Sequence, residues 1–380
     1  MEVVIPQSEI NLKEVLYSLA QPGELYKKLP DDEPPGGKLL CYACGHRCKI
    51  PEGREGICRV RFNKGGVLYV PKGYAGGIQL DPVEKKPFYH AYPGARAMSF
   101  GMLGCDFHCG YCQNWVTSQA VRDPNAVAPV DRFTPREFIN LARRYGAEIL
   151  TSTYNEPLIT SEWAVDIFKI AKQEGFITSY VSNGNGTREV LHYIRPYVDL
   201  YKVDLKSFND KNYRSLGGVL ANVLKTIEML HEMGFWLEVL TLVIPGFNDS
   251  DEELSGIAEF LAHISPLIPW HVTAFHKDYK MTDPDNTPIE TIIRACEIGV
   301  AEGLKYVYAG NVSGRAGKWE NTYCHSCGER LIERTGFVVT GYHLKGPHCP
   351  KCHTTIPGRF WPTEKALKQL DHQTGGRSVT

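Results

Sequence analysis

Between residues 96 and 312 the chain alternates short apolar runs with longer amphipathic ones, and this alternation constrains the fold more than any single motif. "AMSFGM", "EILTST", "ITSYVS", "DLYKVDL", "FWLEVLTLVI" and "WHVTAF" read as six strands, with "YVYAG" as a last one. Between them, "PREFINLARRYG", "SEWAVDIFKIAKQEG", "LANVLKTIEMLHEMG" and "SDEELSGIAEFLAHI" carry apolar residues at helical spacing. Most of these end at glycine, as helix C-caps favour. Strands that alternate with helices pair in parallel, with the helices outside. The pattern fits an α/β chain built as a partial or complete βα barrel, and a doubly wound sheet is the second reading. Polar residues gather where each strand ends: "CDFHCGYC", "TYNEP", "SNG", "DLKSF", "PGFND" and "FHKDYK" follow the six strands in turn. In a barrel the loops after the strands build the site at one face, so these clusters share one address.

The 380 residues leave room for one large domain and smaller units. The expected divisions are 1–95, an N-terminal helix and Cys-rich segment; 96–315, the barrel; 316–362, a four-cysteine ribbon; and 363–380, a helical or loose tail. "NLKEVLYSLA" reads as an amphipathic helix, "DDEPPGGK" as a linker and "GGVLYVPKGY" as a short strand at a turn. "GNVSGRAGK" reads as a Gly-rich linker, so the ribbon is expected to fold apart from the barrel. A hydrophobic content of 43% is that of a globular protein, and a net charge of -1 gives no electrostatic footprint for nucleic acid. No run of about 20 apolar residues exists to span a membrane. "MEVVIPQSEI" lacks the basic-then-apolar order of a signal peptide, so the expected location is cytoplasmic.

Eleven of the twelve cysteines fall into three tight groups, with spacings that suit metal or cluster ligation rather than disulfides. Cys296, alone in "IIRACEIGV", reads as a core residue. Cys105, Cys109 and Cys112 stand as C-x3-C-x2-C after the first strand. Three thiolates hold three corners of an iron–sulfur cube and leave the fourth iron open; the alternative is a zinc site completed by His108 or a distant group. Cys324-x2-Cys327 and Cys349-x2-Cys352 flank the strand-like "RTGFVVTGYHL". They read as the two knuckles of a zinc ribbon or rubredoxin-like module, with zinc as first occupant and a single iron as the other. Cys41-x2-Cys44-x3-Cys48-x9-Cys58 accommodates zinc, the first reading, or a second iron–sulfur cluster, with His46 as an added candidate ligand. Asp204 and Lys206 alternate onto one face of the fourth strand, where two charges are costly unless paired or binding something. Asn248 and Asp249 read as helix N-caps.

C-x3-C-x2-C with Tyr111 just before the last cysteine resembles the signature of radical S-adenosylmethionine (SAM) enzymes. The order of the later motifs resembles the branch that contains the pyruvate formate-lyase activating enzymes. Closer still, nearly all of residues 40–360 resembles the radical SAM member of the AmmeMemoRadiSam system. The shared features are C-x2-C-x-H-x-C ahead of the barrel, "TYNEP" and "WHV…DYKM" within it, and the two-knuckle ribbon after it. The resemblance implies that Cys105, Cys109 and Cys112 hold a [4Fe–4S] cluster whose fourth iron SAM chelates. One electron then cleaves the sulfonium, and the 5'-deoxyadenosyl radical abstracts a hydrogen from substrate.

The resemblance also implies SAM contacts from Tyr111, from Asn155 and Glu156 (where the family has Gly-Gly-Glu and this chain has neither glycine), from Ser182 and Asn183, and from Lys206. Asp204 would lie near the substrate and His276 beside the adenosine. Val181 stands where the activases carry an acid of a cation site. The implied partners are a reductant such as ferredoxin or flavodoxin and AMMECR1-like and Memo-like proteins, with no membrane and no nucleic acid. A glycyl-radical activase acting on a partner protein is the alternative enzyme. A non-catalytic metal-cluster or zinc-ribbon adaptor is the alternative of another class, and the polar residues at successive strand ends stand against it.

Overall fold

The computed structural model describes residues 12–30 and 37–374. The decapeptide read against a signal sequence, most of the linker at 31–38 and the last six residues of the tail lie outside the described residues. The centre is an eight-stranded sheet of β1 (Gly77–Pro82), β2 (Arg96–Gly101), β3 (Ile149–Ser152), β4 (Ile177–Ser182), β5 (Leu200–Asp204), β6 (Trp236–Val243), β7 (Trp270–Ala274) and β8 (Val307–Gly310). Spatial order equals chain order. β2 to β8 are all parallel, and β1 lies antiparallel on β2. A doubly wound sheet reverses its direction of growth once; this one never does, so the second reading falls. β1 and β8 are the two ends of the sheet and do not pair with each other.

Helices α1 (Pro135–Arg144), α2 (Ser161–Gln173), α3 (Arg188–Ile194), α4 (Leu220–Glu232), α5 (Asp251–Ile264) and α6 (Ile289–Ala301) make the crossovers. α1 starts at a capping box between Thr134 and Glu137, with Pro135 in its first turn. α5 is capped by Ser250 rather than by the expected Asn248 and Asp249. Asn248 instead accepts from Ile244 N at 2.7 Å and donates to Lys206 O at 2.8 Å, tying the end of β5 to the turn after β6. Cys296 is fully buried in α6, as expected of a core residue.

Side chains alternate along a strand, and direct register partners share a face. The inner face therefore carries Ala97, Ile149 and Leu200 near the strand starts. Above them comes a polar belt of Ser99, Thr151, Ser179, Lys202, Glu238, His271 and Tyr308, all buried. The apolar starts pack on Val83, Phe88, Ala91 and Ala95, so the segment after β1 plugs the amino ends of the strands. Glu238 fixes that plug. Its carboxylate accepts from Tyr89 N and His90 N at 2.9 Å each, from Trp236 Nε1 at 3.0 Å and from His271 Nε2 at 2.7 Å. A fully buried carboxylate needs this many donors. The expected boundary at residue 95 thus cuts through one unit, because β1 and the plug belong to the sheet.

The remaining N-terminal residues form small antiparallel pairs, Phe62–Lys64 with Val67–Val70 and Leu39–Cys41 with Lys49–Ile50. They dock on α2 through Arg61, whose guanidinium meets both oxygens of Glu162 at 2.7 Å, each side chain about 1% exposed. At the other end, Arg330–Thr335 and Val338–Tyr342 pair as a hairpin beside Thr322–Tyr323. This module does not hang from a loose linker. Glu320 accepts from Gly314 N, Ala316 N and Gly336 N, which folds the Gly-rich segment in place. Arg334 donates to Tyr89 O at 2.7 Å and to Thr322 Oγ1 at 2.9 Å, and its Nε lies 3.5 Å from Glu84. Thr322 in turn meets Tyr308 of β8 at 3.0 Å. The module therefore bridges β8 and the segment after β1, the two ends of the open sheet. The tail forms a helix, Thr363–Thr374.

Arg61→Ala should leave the Glu162 carboxylate buried without its counter-charge. The expected loss is about 3–5 kcal/mol, read from the denaturant midpoint. A loss under about 1 kcal/mol, the scale of an exposed pair, would show that the N-terminal segment is anchored elsewhere.

Candidate active site

The loop after β2 threads between β3 and the N-terminal segment, and two glycines make this possible. A Cβ on Gly101 would lie 2.6 Å from Thr153 O; one on Gly104, whose φ is +89°, would lie 3.1 Å from Cys58 O. Asp106, beside Cys105, is held by Asn183 Nδ2 at 2.8 Å and Asn185 Nδ2 at 2.9 Å. The Cys112 sulfur lies 3.1 Å from Ser118 Oγ. Burial pushes all three loop thiols up, Cys109 to about 12. A bound metal reverses that preference, since it takes thiolate. The loop containing His276 clamps the cysteines from outside. Lys280 N donates to Gly110 O at 2.9 Å, Gln113 Nε2 meets His276 Nε2 at 2.8 Å, and Trp115 stacks on Tyr279.

Under this loop lies a cavity of about 640 Å³, within the size range of small-molecule sites. Cys109, Tyr111, Cys112, Asp204, Lys206 and His276 all face it, as does Val181. So do residues that sequence reasoning missed: Lys85, Lys86, Tyr154, Lys202 and Phe337. They complete two similar charged triads. Asp204 meets Lys202 at 2.6 Å and Lys206 at 3.4 Å. Asp81 meets Lys85 at 2.8 Å and Lys86 at 2.9 Å, and Lys86 also donates to Tyr154 OH at 3.2 Å. Each triad has one surplus positive charge. Burial pulls the Lys86 pKa down; at Lys206 burial is opposed by Asp204 together with Tyr111, Cys109 and Tyr213, and their sum raises it. Tyr154 reaches the cavity from a backbone φ of +68°, a strained setting for a side chain of its size. Lys202 was legible in the alternation of "KVDLK"; Lys86 and Tyr154 meet only through the pairing of β1, which no local pattern announces.

Asn155, Glu156, Ser182 and Asn183, expected at SAM, lie behind the lining of this cavity, next to Thr153, Tyr154 and Val181, which are part of it. Glu156 accepts from Ser182 Oγ at 2.7 Å, Asn183 N at 2.7 Å and Leu158 N at 3.1 Å, and it caps the short helix Pro157–Thr160. Burial, with the nearby Asp106 charge, pushes Glu156 up to about 8. Asn155 Oδ1 accepts from Met102 N at 3.0 Å. Their polar atoms are spent on one another and on the backbone, because a strand end this deeply covered must satisfy its own groups. Together with Asp106 they position the cysteine loop from behind.

The three cysteine groups differ in spacing. The Cys324 and Cys352 sulfurs are 3.5 Å apart and those of Cys327 and Cys349 3.7 Å, and all four lie within 4.8 Å of one another. Zinc–sulfur bonds of about 2.3 Å place tetrahedral ligands about 3.8 Å apart, so this group has the spacing of a single ion. Among the described residues no other set of three or more ligand atoms is that compact. Cys105, Cys109 and Cys112 do not form so compact a group, and three free thiols on one loop fit a cube, in which each thiolate binds a separate iron.

A one-way parallel α/β sheet carries three free thiols on its first rim loop above a charged cavity, the ligand set of a metal cluster. The profile of the Radical SAM superfamily matches residues 101–260. The uncharacterized protein MJ0808 of Methanocaldococcus jannaschii is 39% identical over 335 residues, 87% of this chain and 97% of that one. The chain belongs to the radical SAM superfamily, whose members use a [4Fe–4S] cluster and SAM. The pyruvate formate-lyase 1-activating enzyme of Escherichia coli K12 is 27% identical over 233 residues, 57% of this chain and 93% of that one. Among solved structures, a radical SAM methyltransferase from Sphaerobacter thermophilus matches at a TM-score of 0.46 and 15% identity over 86% of each chain. No described helix is long and apolar enough to cross a membrane.

Because the C-terminal module bridges the ends of the sheet, Cys324→Ser with Cys327→Ser should destabilise more than the module. A single thermal transition, lowered by about 5 °C or more, is expected by scanning calorimetry. Two transitions, the upper one at the wild-type midpoint, would show instead that the module folds apart.

Proposed function

We propose that this chain cleaves SAM reductively at a cluster held by Cys105, Cys109 and Cys112 and abstracts a hydrogen from a small anionic substrate in the same cavity. The observation that carries the reading is the meeting of Cys109, Cys112, Tyr111 and the Lys202–Asp204–Lys206 triad around one cavity, with Cys105 on the same loop. When bound, the cluster and SAM supply the one-electron cleavage and the 5'-deoxyadenosyl radical that takes the hydrogen. Lys206 is the cation for the SAM carboxylate, with Asp204 holding it in place and Lys202 steadying Asp204 from below. His276, bonded to Gln113, stands at the rim for the adenosine. The second triad, with Tyr154, offers the surplus positive charge and the hydroxyl that a carboxylate or phosphate group needs. Phe337, at the tip of the C-terminal hairpin, and the clamp at 276–281 limit access of water.

A glycyl-radical activase is the second reading, supported by the likeness to the pyruvate formate-lyase activating enzyme. A glycine backbone brings no charge to match the lysines on the β1 wall, which ranks this reading below a small anion. The one-way winding around a cavity supports a partial barrel. The compact four-thiolate group supports zinc in the C-terminal module. The N-terminal quartet is read as a site for zinc or a second cluster. A ferredoxin or flavodoxin as electron donor, and AMMECR1-like and Memo-like proteins as partners, rest on the motif resemblance alone.

The test is anaerobic incubation with dithionite and SAM. The wild type should form 5'-deoxyadenosine, and Cys105→Ala, Cys109→Ala and Cys112→Ala should each form none. Product from any of the three refutes the assignment. Lys206→Ala should weaken SAM binding by about 1.5–3 kcal/mol with iron content unchanged. Loss of iron and of folding together would make the triad structural instead.

A further inference from the structure

We infer that Cys41, Cys44, Cys48 and Cys58 hold a second iron–sulfur cluster, placed to pass electrons to the cluster of the loop after β2. The relay half of this inference rests on the proposed function; the site itself does not.

The quartet is a built site. All four thiols are free, and Cys41, Cys44 and Cys58 are buried. The segment that presents them is fixed by its backbone: Cys41 N donates to Cys48 O at 2.9 Å, and Arg59 N to Gly56 O at 2.9 Å. Ile57 N points at Cys48 Sγ at 3.5 Å. Arg47 and Arg59, the residues beside Cys48 and Cys58, take left-handed backbone at φ values of 46° and 62°. Each closes a tight turn, Arg47 N on Cys44 O at 3.1 Å and Arg59 N on Gly56 O, and so fixes the backbone beside two of the thiols.

The spacing separates the two candidate occupants. One ion draws four sulfurs to about 3.8 Å from each other, as in the C-terminal group of this same chain. In the N-terminal quartet no three sulfurs come within 4.8 Å of one another. A cubane carries each thiolate on a different iron, so its ligands stand wider than those of a single ion. His46 does not complete a zinc site through Nε2, because that atom lies 3.2 Å from Asp106 O.

Position gives the cluster its use. That His46 contact joins the residue two after Cys44 to the residue one after Cys105. On the other side, Gly104 packs on the Cys58 carbonyl. The two ligand-bearing segments thus touch on both flanks of Cys105. Cys48 is partly exposed, which gives the quartet an outward side as well. A low-potential one-electron donor, of the iron–sulfur or flavin protein class, reduces the outer cluster by one electron. The outer cluster returns to its oxidised state as that electron passes to the inner one, and no bond or proton changes hands.

The test has two arms on the full chain. The triple variant C105A/C109A/C112A, reconstituted anaerobically, should keep about four iron and four sulfide per chain and show a reduced-cluster electron paramagnetic signal with dithionite. Zinc in place of iron, or no metal, overturns the site, whether or not the wild type cleaves SAM. The double variant C44S/C48S should lose that share of iron yet still form 5'-deoxyadenosine with dithionite, which reduces the inner cluster directly. With reduced flavodoxin as sole donor its product should fall to background. Undiminished product with flavodoxin overturns the relay and leaves the site standing.

Discussion

Parallel strands cannot be joined by tight turns; each needs a crossover that carries the chain back to its starting edge. Seven strands in unbroken parallel order therefore put every strand end, and every loop that follows one, on the same rim. The cysteine loop, the clamp at 276–281 and the turns after β3 to β6 are neighbours for this reason alone, although they are far apart in sequence. The same constraint governs the inner face. Alternation sends Lys202 and Asp204 inward together, and register sets Glu238 beside Lys202. A charged cavity is the product of strand geometry and a few residue choices.

The strands β2 to β8 and the rim clusters were legible because both are local signals, apolar runs and the polar residues that end them. β1 was not. Its residues are short of large apolar groups, it ends at Pro82, and it joins the sheet antiparallel from outside the repeating pattern. With it went half of the cavity charge, since Lys85, Lys86 and Asp81 reach the site only through that pairing. Asn155, Glu156, Ser182 and Asn183 stood out in sequence as polar residues at two strand ends, and the structure joins Glu156 to Ser182 and Asn183 by hydrogen bonds. Sequence marks a polar cluster at a strand end but not which way its side chains turn. The Gly-rich stretch before the C-terminal module was misleading because two of its backbone amides and that of Gly336 converge on one carboxylate, Glu320.

Buried charges join the parts. Arg61–Glu162 holds the N-terminal segment to α2, Glu238 holds the plug to β6, and Arg334 with Glu84 holds the C-terminal module to the plug. Such pairs add little net stability over well-packed apolar residues. What they add is geometry, because a charge taken out of water tolerates few alternative placements. Each pair sits where one segment must be registered against another for the cavity to have its shape.

The contact between Arg334 and Tyr89 spans 245 positions of sequence. Loop-closure entropy makes such a contact a late one in folding. It reinforces a direct join, since His90 Nε2 of the segment after β1 lies 2.6 Å from Tyr308 OH of β8. The C-terminal hairpin acts as a clasp over that join. Phe337, at the tip of the same hairpin, lines the cavity, so the element that fastens the two ends of the sheet is also part of the site's wall.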